Sequence, residues 1–113
     1  MTLKRLPAFF YVLPSGREPV RDWIKSLDPA DRKIVGEDIK DVEFACPIGM
    51  PLCRSLGDEL WEVRSDLTHG RIARVIFCIH PGRMVLLHGF IKKTQKTPPS
   101  DRTLALKRKK SLA

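Results

Sequence analysis

The sequence predicts an α+β fold, an antiparallel sheet packed on an αα-hairpin in the order β-α-α-β-β-β, with a further short helix at the end. Three observations predict it. Apolar residues recur at helical spacing through the first half of the chain. Past a turn-rich segment the period drops to 2. Short turns then join the period-2 runs closely enough for antiparallel pairing.

The elements follow in chain order. "PAFFYVLPSGR" is a short apolar run bounded by Pro7 and by Pro14-Ser15-Gly16, a strand followed by a turn. In "EPVRDWIKSL", Val20, Trp23, Ile24 and Leu27 take the i, i+3, i+4, i+7 positions of one helix face, and Pro19 is tolerated in the first turn. "DPADRKIVGEDIKDVEFAC" restarts with Asp28 as N-cap, Pro29 at the first helical position and Asp31 at the positive end of the dipole. Its apolar face is Ile34, Val35, Ile39, Val42 and Cys46. "CPIGMPLCRSLGDE" reads as a loop. "ELWEVRS", "GRIARVIFCIH" and "MVLLHGFIKK" are strands; "DLTHG" joins the first two, and Pro81-Gly82 marks a hairpin between the last two. The tail from about residue 98, "TPPSDRTLALKRKKSLA", forms a short helix capped near Ser100 or Asp101, with a thin apolar face. The expected first strand joins an edge of the sheet.

Length and composition set the class. At 113 residues, 42% hydrophobic and 30% charged, the chain is expected to form a single domain spanning residues 1–113. No apolar run approaches the roughly 18–20 residues of a membrane span. Pro7 and Pro14 interrupt the apolar N-terminal stretch, which is therefore expected to be a mature N-terminus of a cytoplasmic protein. Cys46, Cys53 and Cys78 form no CxxC pair, and His69, His80 and His88 show no metal-ligand spacing with them. Free thiols and no metal or other cofactor are expected.

Charge gives the first functional clue. The net charge is +8, and eight Lys/Arg but only Asp101 as an acid fall between Lys92 and Lys110, whereas Glu37–Glu43 holds four acids and one lysine. One basic pole on a small domain favours a polyanion, nucleic acid or an anionic membrane.

Alternation along the three C-terminal strands sorts their side chains. Trp61 and Val63 oppose Leu60, Glu62 and Arg64. Ala73, Val75 and Phe77 share a face, leaving Arg74 with Ile72, Ile76 and Cys78. Val85, Leu87, Gly89 and Ile91 share a face, leaving His88 and Lys92 with Leu86 and Phe90. One side of the sheet is apolar and suits the helices; the other gathers Glu62, Arg64, Arg74, His88 and Lys92 if the registers match. An arginine inside the apolar run "RIARVIFC" needs a counter-charge. Glu62 supplies one, and a bound phosphate supplies another, since the guanidinium fork matches phosphate oxygens. Phe90 either stacks on a base or belongs to the core. "KKTQK" adds mobile charge and hydrogen-bond donors where the last strand ends.

"LWEVR", "RVIFCI" and "LLHGFIKKTQKTP", in that order, resemble the RelE/ParE superfamily of small bacterial toxins and, more narrowly, its phage-derived HigB-type branch. Residues 60–98 carry the specific part of the likeness. The resemblance implies a RelE-like fold and the toxin of a type II toxin–antitoxin system, a metal-independent endoribonuclease (mRNA interferase) that inhibits translation by cutting mRNA in the ribosomal A site. The implied partners are the ribosome with its rRNA and a HigA-like, helix-turn-helix antitoxin, with no membrane involved. Carried over by motif, Arg64, Arg74, Lys92 and Lys93 occupy the positions of the catalytic and phosphate-binding cations, and Gln95 and Lys96 follow within reach of substrate. Arg74 is expected to stabilise the pentavalent phosphate, and Lys92 or Lys93 to protonate the leaving 5′-oxygen. Glu62, His88 or a lysine of depressed pKa would take the 2′-OH proton. Some RelE members carry a C-terminal tyrosine near the cleft; the only tyrosine here is Tyr11. Two other functions fit the same fold class: a ParE-like toxin that poisons gyrase, and a non-catalytic, phage-derived RNA-binding protein.

Overall fold

The computed structural model describes residues 6–45, 53–92 and 97–112. Its frame is a five-stranded sheet with strand order β1-β5-β4-β3-β2, built from β1 (Ala8–Phe10), β2 (Cys53–Gly57), β3 (Leu60–Asp66), β4 (Ile72–His80) and β5 (Arg83–Lys92). β1 runs parallel to β5 at one edge, and the other neighbours are antiparallel. The helices are α1 (Pro19–Ser26), α2 (Pro29–Ala45) and α3 (Pro99–Lys110). The architecture is the expected α+β, RelE-like one. None of the described helices is long and apolar enough to cross a membrane.

α1 and α2 lie against one face of the sheet, and the helical periodicity explains why. Val20, Val35, Ile39 and Val42 meet Val63, Ala73, Val75, Phe77, Met84 and Leu86 in one buried cluster, with Trp23, Ile24 and Leu27 packed on its border. Gly89 leaves room for the Trp23 ring. Asp31, in the first turn of α2, is only 3% exposed, because the Arg71 fork grips it with Nη1–Oδ2 at 3.0 Å and Nη2–Oδ1 at 3.2 Å. Arg71 also donates to the Thr68 carbonyl and hydroxyl, tying the β3–β4 connection to the helix.

Four sequence expectations change in the structure. β2 lies in what reads as loop. It pairs Cys53 with Val63, Arg54 with Glu62 and Ser55 with Trp61. Its hairpin turns through Asp58 and Glu59, both at positive φ (54° and 61°), the conformation that Asn-Gly usually announces. Asp-Glu carries no such signal.

Second, β5 holds an irregularity. Ile76 pairs with His88 but Phe77 pairs with Leu86, so Leu87 is an extra residue. Strict alternation put Leu86 beside His88 and Val85 on the helix side. The bulge exchanges them: Leu86 joins the α1–α2 core, whereas Val85 and Leu87 face the other way. The Leu87 carbonyl accepts a hydrogen bond from Arg108 Nη1 at 2.7 Å.

Third, the expected C-terminal helix is present and docked, but its N-cap is Pro98, with no side-chain cap from Ser100 or Asp101. α3 buries Ala105 completely against Leu60, Ile76, Cys78, Val85 and Leu87 on the second face of the sheet. Polar anchors supply what its thin apolar face lacks. Arg102 reaches Asp58 (2.6 Å) and the Leu56 carbonyl (3.0 Å), Lys109 reaches the Asp58 carbonyl (3.0 Å), and Tyr11 meets Ser111 (2.6 Å).

Fourth, Cys53 is disulfide-bonded, against the expectation of free thiols. Pairing depends on proximity in space, which motif spacing does not reveal. Cys78 is free and buried, and burial pushes its thiol pKa up.

The acidic segment of α2 has a measurable consequence. Burial raises the Asp38 pKa, the Ser65 hydroxyl bond opposes this, and Asp41, Asp66 and Glu37 raise it further. The folded state therefore holds this proton more tightly than the unfolded state. Stability contributed by the group is present below the ordinary carboxylate pKa and is lost as pH rises through the raised one. Asp38→Asn keeps an acceptor for Ser65 and is expected to stabilise the protein at pH 7 by less than about 1 kcal/mol after solvent screening. Urea denaturation at pH 7 and pH 3 checks this, the advantage disappearing at the lower pH.

Candidate active site

Strand register lays the polar residues of the second sheet face out as a grid. Arg54, Glu62, Ile76 and His88 form one row across β2, β3, β4 and β5. Arg64, Arg74 and Phe90 form the next, and Ile72 and Lys92 lie in the one beyond. Neighbouring strands are about 4.8 Å apart and successive rows about 7 Å. Glu62, Arg64, Arg74, His88 and Lys92 thus share one face, because the bulge lies before His88 and leaves the alternation from His88 to Lys92 intact.

Burial divides this set. Glu62 and Arg74 are both 0% exposed. Burial lowers the Arg74 pKa, the Glu62 carboxylate raises it, and the neighbouring Arg64 and Arg54 lower it. Thr97, ahead of α3, donates from its hydroxyl to Glu62 Oε2 at 2.7 Å and accepts from Arg74 Nη1 at 3.5 Å. Arg74 is buried, and its charge faces Glu62 inside the molecule. Glu62 Oε1 is buried with no hydrogen bond from the described residues.

The accessible cations surround this buried centre. Arg64 is half-buried, and Arg54 and Lys92 are exposed. A carboxylate ringed by three arginines leaves a net positive surface, which suits an anion arriving from solvent. Arginine adds fixed, forked donors there, and Lys92 contributes a mobile point charge.

His88 lies at the border between sheet and α3. Its Nε2 is 2.6 Å from Oδ1 of Asp101, and the two side chains are 17% and 19% exposed. Asp101 belongs to the first turn of α3, where the helix dipole favours a carboxylate. Phe90 stacks on the imidazole with ring centroids 5.4 Å apart and planes 24° from parallel. At 8% exposure Phe90 belongs to the core beneath α3, and the expected role as a base-stacking platform does not suit its position. Lys93, Gln95 and Lys96 lie outside the described residues.

Three contributors escaped the sequence. Arg54 is hidden in the strand read as loop. Thr97 and Asp101 reach the site only because α3 folds back over the sheet. Asp101 did carry a signal: it is the one acid among eight basic residues between Lys92 and Lys110.

A five-stranded sheet with a helical hairpin on one face and a cationic, histidine-bearing surface on the other defines a RelE-like α+β protein. The family model for "Phage derived protein Gp49-like (DUF891)" matches residues 22–110, and the chain belongs to that toxin-like family. The match takes in every site residue described above. No curated protein and no solved structure matched the chain.

Proposed function

We propose that this protein is the toxin of a type II toxin–antitoxin pair, of the HigB-type branch, and that it cuts mRNA in the ribosomal A site. The observation that carries the reading is the order of groups along the second sheet face. His88 and Lys92 lie about 13 Å apart along β5, and Arg64 lies in the row between theirs, two strands away on β3. RNA cleavage by its own 2′-OH is an in-line displacement. The attacking 2′-oxygen and the leaving 5′-oxygen stand on opposite sides of phosphorus, and the phosphate gains charge between them. A proton acceptor, a guanidinium and an ammonium that share one sheet face supply the groups those three demands require. Lys92, or Lys93 next to it in sequence, protonates the 5′-oxygen. Arg64 and Arg54 hold the phosphate, and Arg74 with Glu62 keeps the underlying sheet charged and ordered. The chemistry draws on side chains alone. Ribosomal RNA and a HigA-like, helix-turn-helix antitoxin are the proposed partners, in the cytoplasm; the disulfide at Cys53 means that the placement rests on the target and not on cysteine usage.

Ribosomes programmed with a defined mRNA, followed by primer extension, test this. Wild type is expected to cut inside translated codons in the presence of ribosomes. Arg64→Ala is expected to lower the rate by about 10²–10³-fold, the usual effect of removing one donor to a developing oxyanion. Lys92→Ala should slow cleavage while leaving the fold intact, since the side chain is exposed. Growth arrest in cells with intact mRNA would redirect the reading to gyrase. Neither arrest nor cleavage would leave an RNA-binding module.

A further inference from the structure

Resting on the ribonuclease reading above, we infer that His88 is the group that takes the 2′-OH proton and that Asp101 is its positioning residue, fixing the imidazole in the tautomer that can do so. The geometry is specific. A contact of 2.6 Å between His88 Nε2 and Asp101 Oδ1 assigns the Nε2 hydrogen to the carboxylate. An ionised carboxylate only accepts, so in the neutral ring the proton resides on Nε2 and the lone pair on Nδ1. His88 makes no other hydrogen bond among the described residues. Its remaining nitrogen is thus available to substrate. Phe90 stacked on the ring limits its rotation.

Glu62, the other carboxylate of this face, is less suited. It is fully buried, its Oε2 accepts from Thr97, and Arg74 faces it. A carboxylate so buried stands away from solvent and from an incoming 2′-OH. His88 is reachable, lies one row from Arg64, and is backed by a residue from a different element.

The step balances as follows. Nδ1 of His88 accepts the proton of the 2′-OH while the 2′-oxygen bonds to phosphorus. The P–O5′ bond breaks, and Lys92 gives the leaving oxygen a proton. The products are a 2′,3′-cyclic phosphate and a 5′-hydroxyl, and the imidazolium, stabilised by Asp101, returns its proton to solvent. Asp101 touches no substrate. It acts through the ring, as the third member of a nucleophile–base–orienter chain does.

Two readouts separate positioning from mere support of α3. Nitrogen-15 NMR of the purified, full-length protein reports which ring nitrogen of His88 is protonated, and single-turnover cleavage on programmed ribosomes reports the chemical step. In wild type the Nε2–H tautomer is expected. In Asp101→Asn the tautomers should mix or invert, and the single-turnover rate at saturating ribosomes should fall by about 10²–10⁴-fold with little change in the half-saturating concentration. Asp101→Glu should recover part of the rate. Arg102→Ala breaks the neighbouring anchor of α3 to Asp58 and the Leu56 carbonyl without touching His88, and is expected to keep nearly the wild-type rate. Adding Asp101→Asn to His88→Ala should cost little more than His88→Ala alone, because the two act as a unit.

An Nδ1–H tautomer in wild type, a wild-type rate in Asp101→Asn, or equal losses in Asp101→Asn and Arg102→Ala would each overturn the inference while leaving the ribonuclease reading in place. Absence of cleavage by wild type would overturn that reading and the proton-transfer role together.

Discussion

Glu62→Ala is expected to lower the free energy of unfolding by about 3–5 kcal/mol, a large share of the total for a domain of this size. The reason is an imbalance of buried charge. Glu62 and Arg74 are both fully buried, and the next charges acting on Arg74 are two more arginines, Arg64 and Arg54. Removing the carboxylate takes the Glu62 charge away from a desolvated guanidinium that Arg64 and Arg54 repel, and removes the acceptor of the Thr97 hydroxyl at 2.7 Å. Arg74→Ala should cost a similar amount for the mirror-image reason, stranding the carboxylate. Replacing the pair together, as Glu62→Leu with Arg74→Met, removes both desolvation penalties and should restore most of the loss. Urea denaturation of the two single variants and the double closes the cycle. Single-variant losses below about 1 kcal/mol, or a double variant as unstable as the sum of the singles, would show that the two charges are not coupled. The consequence for function is practical: lost activity in an Arg74 variant reports folding as well as catalysis, so Arg64 and Lys92 are the cleaner probes.

Gly89→Ala is expected to destabilise by up to about 3 kcal/mol, the upper part of the range for overpacking a well-filled core. A methyl group at Gly89 would stand 2.4 Å from Cε3, 2.6 Å from Cζ3 and 2.9 Å from Cδ2 of Trp23. All three are atoms of a rigid indole on α1, so relief requires the helix to lift off β5. The tryptophan emission of the variant should shift to the red as that ring is uncovered. Trp23→Leu in the same chain should recover part of the stability by vacating the space. A Gly89→Ala variant with wild-type stability and emission would mean that α1 is not seated on β5 in solution.

Much of the fold was legible because its causes are local. Val20, Trp23, Ile24 and Leu27 state a helix face by their spacing, and Pro81-Gly82 states a turn, with Gly82 at φ 77°. Alternation correctly put Glu62, Arg64, Arg74, His88 and Lys92 on one side. Its errors arose where a non-local effect intervened. The bulge at Leu87 reversed Val85 and Leu86, and the positive-φ turn at Asp58-Glu59 concealed a strand made of turn-forming residues.

The chain by itself determined the fold class, the apolar helix-facing side of the sheet and the cationic character of the opposite side, since hydrophobic period and charge are properties of neighbouring residues. Only the tertiary structure decided which of those charges are buried and which face solvent. Glu62 and Arg74 vanish into the interior, whereas Arg54, Arg64 and Lys92 remain accessible, because burial depends on what packs above a residue. It also brought Asp101 to His88 across a separation of 13 residues. That contact exists because α3 turns back over the sheet on anchors at Asp58, Leu56 and Tyr11, and no periodicity within either segment encodes it.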